Sequence, residues 1–300
     1  MCPPVRPSYF SRMPTDEVVA AAAGSGSIGD LLVNRIGFGT KRLAGAGRFD
    51  ARGAGDRERV VGLLRRAVEL GVDHIDTAAF YPTYAEPERG ATAFTGLDCA
   101  NELIRLAVAP YPDDLVIATK VGPTPAGLAR PDQMRGLVEE NLRQLGREHL
   151  DLVYLRQHGL DSIAEHFGAL AELRDEGLIR HLGLSNVRLE HLEEASSIAP
   201  VAAVQNRYGV DFGRVNDELM RTCGEQGIAF VPFFSLAGEG REAGGVRGSD
   251  AVTAICRAHG ATPAQVRIAW TLSRDHTCWP FREPATPTTW RRTSQPGRFG

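Results

Sequence analysis

The chain has 300 residues, a formal net charge of -3 and an apolar content of 43%. This size and composition are typical of a globular protein that folds as one α/β barrel or as two smaller domains. The charge provides no basic surface for nucleic acid, and no apolar run is long enough to span a bilayer. We therefore expect neither a nucleic-acid partner nor a membrane.

The N-terminus and the cysteines indicate a cytoplasmic protein. The residues Met1-Cys2-Pro3-Pro4 do not begin a basic segment followed by an apolar one, so secretion is not expected. The five cysteines are widely spaced and form no Cys-x-x-Cys pair, which favours reduced thiols over disulfides or a metal site. We expect no metal, and a monomer or weak oligomer.

Strand-like and helix-like segments alternate from residue 36 to residue 273. Short apolar runs predict strands, and apolar residues at helical spacing predict helices. The predicted strands are residues 36–39, 72–75, 115–118, 150–155, 179–184, 201–204 and 228–232. The predicted helices are residues 57–70, 101–109, 132–145, 162–175, 189–198, 215–226, 252–259 and 263–273.

Seven strand–helix units without a linker predict one α/β domain, a (β/α)8 TIM barrel. An eighth strand should follow, but the segment 277–281 is a poor one, so the last unit is expected to be atypical or incomplete. The predicted division is a leader or hairpin at 1–30, a barrel at 31–275 and an atypical tail at 276–300. Long loops are predicted at 82–98 and 238–248.

Three ionisable residues follow neighbouring predicted strands: Asp76, Tyr81 and Lys120. Strand carboxyl ends form the catalytic rim of such barrels, so we expect these side chains to meet. Lowering a tyrosine pKa by about three units takes roughly 4 kcal/mol, which one ammonium about 4 Å away supplies at an effective dielectric of 20. Lys120, oriented by Asp76, would thus let Tyr81 protonate a carbonyl oxygen as hydride reaches the carbon.

Each of these residues has a structural explanation when it is taken alone. A strand-end Asp is commonly a turn residue, a Tyr before a proline packs in a loop, and a Lys after a strand is commonly solvated. Their shared rim position favours the catalytic interpretation. An aldolase that uses Lys120 as a Schiff-base nucleophile stays open at this point.

Four motifs give the chain a resemblance to the aldo-keto reductase family, from about residue 33 to residue 273. D-T-A-x-x-Y matches residues 76–81, A-T-K matches 118–120, G-L-S-N matches 183–186 and Q-N-x-Y matches 205–208. The resemblance implies NADPH-dependent reduction of a small carbonyl substrate to an alcohol. It also implies that Tyr81 is the general acid and that Asp76 and Lys120 tune it.

The resemblance further implies a set of cofactor-binding residues: Gly39, Thr40, Asp76, Ser185, Asn186, Gln205 and Phe233. Ser185, Asn186 and Gln205 would pair with the nicotinamide carboxamide, and Phe233 would stack on its ring. Two structural alternatives remain, namely that Ser185 and Asn186 cap the next helix and that Phe233 packs in the core.

The first departure from the family pattern is Arg156, which stands where the family has a His at the end of the fourth strand. A guanidinium donates hydrogen bonds to a carbonyl oxygen but cannot exchange a proton. We therefore expect Arg156 to polarise the substrate. His158, two residues further on, is the alternative.

The second departure is the tail, which lacks the family's I-P-G-T and H-L-x-E-N text. Residues 276–294 can be written with GC-rich codons that, read two bases later, give H-V-L-A-I-P-G-T-G-D-P-D-H-L-E-E-N-Q. This text contains both missing motifs, so we expect a shifted coding frame rather than a diverged tail. The seam between strands seven and one should then be weakly closed. This leaves a second function open, a weak or inactive barrel that acts as a cofactor-sensing or regulatory protein.

Overall fold

The computed structural model describes residues 20–41, 43, 54–81, 99–210, 212, 214–236, 250–274 and 281–282, with the backbone alone at 54–56 and 281–282. The leader before residue 20, both predicted loops and nearly all of the predicted tail lie outside the described residues. Within the described residues, no helix is both long enough and apolar enough to cross a membrane.

Twelve strands are found along the described chain. They are β1 (Ser25–Ile28), β2 (Leu31–Asn34), β3 (Gly37–Gly39), β4 (His74–Asp76), β5 (Val116–Val121), β6 (Pro123–Thr124), β7 (Gly127–Leu128), β8 (Leu150–Arg156), β9 (Ile179–Ser185), β10 (Val201–Gln205), β11 (Ala229–Phe230) and β12 (Phe281–Arg282). Eight of them form one parallel sheet in the order β11-β10-β9-β8-β5-β4-β3-β12. The other four form the antiparallel hairpins β1–β2 and β6–β7.

The helices alternate with the strands of the curled sheet. They are α1 (Ala54–Glu69), α2 (Ala100–Val108), α3 (Met134–Leu145), α4 (Ala164–Asp175), α5 (Leu189–Ile198), α6 (Asp217–Glu225), α7 (Asp250–His259) and α8 (Pro263–Leu272). All seven predicted strand–helix units are present. The predicted class, a (β/α)8 barrel with an incomplete last unit, is confirmed.

The eighth strand is short, and it completes only one side of the barrel seam. β12 pairs in parallel with β3, where Phe281 lies opposite Gly37 and Arg282 opposite Phe38. Among the described residues, β12 forms no ladder with β11, so these two strands are the ends of the sheet. Within the described residues, a ladder closes the seam on the β3 side alone, in line with the weak closure that the sequence predicts.

Alternation along the strands divides the apolar residues into two cores. On β8, Val153 and Leu155 pack between the sheet and the helices, whereas Leu152 and Tyr154 point into the barrel. The β1–β2 hairpin adds buried Ile28 and Val33 to the inner core. It therefore closes the amino-terminal end of the barrel and leaves the carboxyl ends of the strands for the site.

Hydrogen bonds of Asn34 connect this hairpin to the segment just before β4. Asn34 donates its N–H to both carboxylate oxygens of Asp73, at 2.8 and 3.1 Å. Its side chain donates to the Gly71 carbonyl at 2.7 Å. The hairpin extends from residue 25 to residue 34 and so crosses the predicted boundary between leader and barrel.

Candidate active site

A buried ion pair lies at the carboxyl ends of β4 and β5. The Lys120 ammonium donates to both oxygens of the Asp76 carboxylate, at 2.6 Å each, and to the Thr77 carbonyl at 3.0 Å. The side chains are 1% and 7% exposed. Burying two charges is costly unless their hydrogen-bonding capacity is used, and here the ammonium has three acceptors.

Two tyrosine rings lie close to the Lys120 ammonium. The centroid of the Tyr81 ring is 5.0 Å from Nζ, and the centroid of the Tyr154 ring is 6.0 Å from it. Both distances are within the range of a cation–π contact. The structure thus brings together the three residues that the sequence singled out, and adds Tyr154 beneath them.

Tyr154 lies inside the barrel, where its hydroxyl is buried and has no hydrogen-bond partner among the described residues. Burial, together with the charge of Asp76, raises the pKa of Tyr154 well above its usual value. This phenol therefore stays protonated, and Tyr81 is the partly exposed tyrosine at the rim.

Gln205, at the end of β10, extends the charged pair into a network. Its amide Nε2 donates to the second Asp76 oxygen at 2.8 Å, across the barrel mouth. Since Nε2 makes this bond, the side-chain oxygen of Gln205 is left as an acceptor. Thr40, after β3, donates its hydroxyl and its N–H to the Asp76 carbonyl, at 3.0 and 2.9 Å.

Arg156 occupies the end of β8, where it contacts two other predicted site residues. Its Nη1 donates to the Ser185 hydroxyl oxygen at 3.2 Å, and its guanidinium lies 5.5 Å from the centre of the Phe233 ring. His158 is exposed. Arg156 therefore contacts the other predicted site residues at this part of the rim.

The alternative that Ser185 and Asn186 cap the next helix is wrong. The N-cap of α5 is Arg188, because Asn186 adopts a left-handed backbone with φ of 64° and turns the chain before the helix begins. Asn186 donates its N–H to the Gln205 carbonyl at 3.0 Å. The Ser185 side chain is buried and the Asn186 side chain is exposed at the rim.

Phe233 does not lie wholly in the core. Its side chain is half-buried and meets Phe234 edge to face, with ring centroids 5.1 Å apart. Phe234 in turn lies under the Lys41 ammonium, whose Nζ is 4.8 Å from the ring centre. Gly39 is buried at the end of β3, and its register partner is Asp76.

The sequence analysis missed a set of buried amides behind the ion pair, on α2 and α3. They are Asn101, Asn141 and Gln144, which bond to one another and to the Thr77 and Thr119 hydroxyls. One signal was available, because Asn141 and Gln144 interrupt the apolar face that Val138 and Leu145 define on α3. Polar residues on a buried helix face are normally hydrogen-bonded.

Comparison with known proteins identifies the class of protein that this fold and site define. The model of the Aldo/keto reductase family matches residues 35–287, which is most of the chain. The chain therefore belongs to the aldo/keto reductase family. The match ends inside the tail that departs from the family's usual text.

The relatives are oxidoreductases, and the matches cover most of each relative. The chain is 37% identical over 261 residues to pyridoxine 4-dehydrogenase of Escherichia coli (strain K12), covering 83% of this chain and 84% of the relative. It is 27% identical over 248 residues to a methylglyoxal reductase of the same bacterium, covering 82% and 79%. An aldo/keto reductase from Klebsiella pneumoniae, solved with NADP and acetate, is 26% identical with a TM-score of 0.68, covering 88% of this chain and 85% of that one.

Proposed function

We propose that this chain reduces an aldehyde or ketone to the alcohol with NADPH, using Tyr81 as the general acid. The observation that carries this proposal is the Asp76–Lys120 pair, with its ammonium 5.0 Å from the centre of the Tyr81 ring. A buried ammonium beside a phenol stabilises the phenolate and so makes the phenol a stronger acid. Protonation of a carbonyl oxygen needs such an acid near neutral pH.

The donors and acceptors at the rim fit a nicotinamide. A carboxamide needs one acceptor and one donor, and the Gln205 side-chain oxygen and the Ser185 hydroxyl provide them. Because Arg156 donates to the Ser185 oxygen, the hydroxyl proton of Ser185 is directed elsewhere and can bond the carboxamide oxygen. Asn186, Gly39 and Thr40 would complete the cradle, and Phe233 would provide an aromatic face.

When bound, NADPH would supply the hydride. The chain would do the rest: Arg156 would polarise the carbonyl, and Tyr81 would donate its phenolic proton to the carbonyl oxygen as the alcohol forms. Lys120 would stabilise the resulting phenolate, and Asp76 would keep Lys120 charged. Gln205 would hold the second Asp76 oxygen in place.

The geometry disfavours the aldolase that the sequence left open. A Schiff-base lysine must be a neutral amine to attack a carbonyl carbon. Lys120 instead donates to two carboxylate oxygens and a carbonyl, a set of acceptors that favours the charged form. We therefore do not propose it as the nucleophile.

The test begins with an NADPH titration, in which the fluorescence of the nicotinamide reports binding. It continues with assays of NADPH oxidation in the presence of a panel of carbonyl compounds. Pyridoxal and methylglyoxal belong in the panel because of the names that the two relatives carry. Binding with turnover supports the reductase. Binding without any turnover would contradict it and would favour a cofactor-sensing protein.

A further inference from the structure

We propose that the amide network, defined as Thr77, Asn101, Thr119, Asn141 and Gln144, positions Lys120 against Tyr81. The network lies behind the catalytic rim, and it contacts the ion pair through the Thr77 carbonyl, which accepts from the Lys120 ammonium at 3.0 Å. It bonds to the residue after Asp76 and to the residue before Lys120. This inference rests on the proposed function for its chemistry, but its test does not require turnover.

The first side of the network holds the end of β4. The Thr77 hydroxyl donates to the Asn101 side-chain oxygen at 2.8 Å. The Thr77 carbonyl accepts from the Lys120 ammonium at 3.0 Å, and the Thr77 N–H donates to the Ala118 carbonyl at 2.8 Å. Thr77 thus connects an α2 side chain to the ammonium, so the orientation of this residue determines where one acceptor of Lys120 lies.

The second side of the network holds the end of β5. The Thr119 hydroxyl donates to the Asn141 side-chain oxygen at 2.6 Å. The Asn101 amide joins the two sides, because its Nδ2 donates to the Asn141 oxygen and to the Gln144 oxygen, at 2.9 Å each. Thr77 and Thr119 are therefore held by the same pair of helices.

The network is buried and its amide groups are paired. Thr77, Asn101 and Thr119 are each 0% exposed. The Asn141 amide donates to the Leu137 carbonyl at 2.8 Å, and the Gln144 amide donates to Glu140 at 2.7 Å. A paired polar network in a low-dielectric interior has few alternative arrangements, so it fixes the relative position of two strand ends.

A role in stability alone would not explain why both hydroxyls of the network belong to residues adjacent to the ion pair. Each threonine lies next in sequence to one member of the ion pair, since Thr77 follows Asp76 at the end of β4 and Thr119 precedes Lys120 on β5. The Lys120 ammonium has to stay close to the Tyr81 ring for the phenol to be acidified, and a displacement of about 1 Å of a catalytic group can be costly. We therefore assign the network to positioning, and Asn101 to its centre.

The test measures the pKa of Tyr81 from phenolate absorbance. The absorbance of Tyr81 is obtained by subtracting the titration curve of the same protein that also carries Tyr81→Phe. We compare the wild type with Asn101→Ala and with Thr77→Val, which removes one hydroxyl at nearly constant volume. Should Asn101→Ala not fold, Thr77→Val alone decides the question.

The Tyr81 pKa is expected to rise in Thr77→Val, by about one unit, which corresponds to tenfold weaker acidity. Thr77→Ser restores the hydroxyl and should return the pKa towards the wild-type value. In an active enzyme, kcat for reduction should fall about tenfold in Thr77→Val, because the acid is displaced. The pH at which kcat falls by half should move upwards with the pKa.

Tyr111→Phe is the matched control. It removes the hydrogen bond that the half-buried Tyr111 hydroxyl donates to the Leu145 carbonyl, 2.6 Å long, on the segment before β5. It should lower the melting temperature and leave the Tyr81 pKa unchanged.

An unchanged Tyr81 pKa in Thr77→Val, with only a lower melting temperature, would overturn the inference. Failure of the wild type to turn over would count against the proposed function alone, because the pKa measurement still stands.

Discussion

The Asp76 carboxylate accepts hydrogen bonds from an ammonium and from an amide. Lys120 bonds both oxygens, and Gln205 bonds the second. The three residues come from β4, β5 and β10, so the pair depends on the closure of the sheet around them. Removing either charge would leave the other buried and unpaired, at a cost of about 3–5 kcal/mol.

Asp73 gives the chain a testable dependence of stability on pH. Burial raises the pKa of the Asp73 carboxyl to about 6 from 3.8, even though the Asn34 N–H donates to it. Between these pH values the folded chain keeps a proton that the unfolded chain has released. The contribution of Asp73 to the free energy of unfolding therefore falls as pH rises from about 4 to about 6.

Asp73→Asn removes this titration. The free energy of unfolding of the variant minus that of the wild type should increase as pH rises from 4 to 7, because only the wild type loses the Asp73 contribution; urea unfolding at each pH measures this difference. His74 acts in the opposite direction, because burial and Lys120 lower its pKa to about 3. It is present in both proteins and cancels in the comparison. A difference that does not change with pH would contradict the raised pKa.

The sequence predicted the rim residues better than the residues that support them. Asp76 and Lys120 could be placed because each follows a short apolar strand, and parallel strands end at one edge. Asn101 could not be placed, because hydrogen bonds between two helices depend on how the helices pack against the sheet. The N-cap of α5 at Arg188 was missed for a related reason, since a left-handed turn at Asn186 precedes the helix.

At the level of elements, the helix α5 was predicted more accurately than the strand β11. The predicted helix at 189–198 has the observed bounds of α5, because a repeating apolar face defines a helix locally. The predicted strand at 228–232 retains only Ala229–Phe230 as β11. Pro232 has no N–H for a ladder, and a strand's length also depends on the partner at its edge.

Gly183 on β9 shows how closely the inner face of the barrel is packed. A Cβ built there would lie 2.6 Å from the Tyr154 ring and 2.9 Å from the Ala203 carbonyl oxygen. Gly183→Ala should therefore destabilise the chain by about 1–3 kcal/mol, as overpacking does in other cores. Urea unfolding measures this change.

Gly168→Ala is the matched control for Gly183→Ala. Gly168 lies in α4, and a Cβ there would meet nothing within 4 Å. Replacing a helical glycine by alanine should stabilise the chain by roughly 0.5–1 kcal/mol. Equal effects of the two substitutions would show that the contact with Tyr154 does not constrain β9.

At the scale of the whole molecule, we expect the seam between β11 and β12 to be the weakest part of the barrel. β12 has two residues and pairs with β3, and no ladder joins it to β11 within the described part of the chain. An unpaired strand edge exposes backbone N–H and C=O groups. The tail text at residues 276–294 lacks the apolar run that a full eighth strand needs.

A replacement of the tail tests this explanation. Exchanging residues 276–293 for H-V-L-A-I-P-G-T-G-D-P-D-H-L-E-E-N-Q should lengthen the eighth strand, raise the melting temperature and tighten NADPH binding. A shuffled text of the same composition serves as the control, because it keeps charge and length. If both replacements give the same melting temperature and the same NADPH affinity, the tail text does not limit the stability of the barrel or its cofactor binding. Sequencing the gene past codon 276 shows independently whether the frame is shifted.

The central claim is that Tyr81 protonates a carbonyl oxygen beside the Asp76–Lys120 pair. Tyr81→Phe removes only the phenolic oxygen and keeps the ring near the Lys120 ammonium. NADPH oxidation with the best carbonyl substrate should fall by at least about a hundredfold, the size of effect typical of general acid catalysis, while NADPH binding stays close to that of the wild type. Reductase activity that persists at the wild-type rate in Tyr81→Phe would contradict the account.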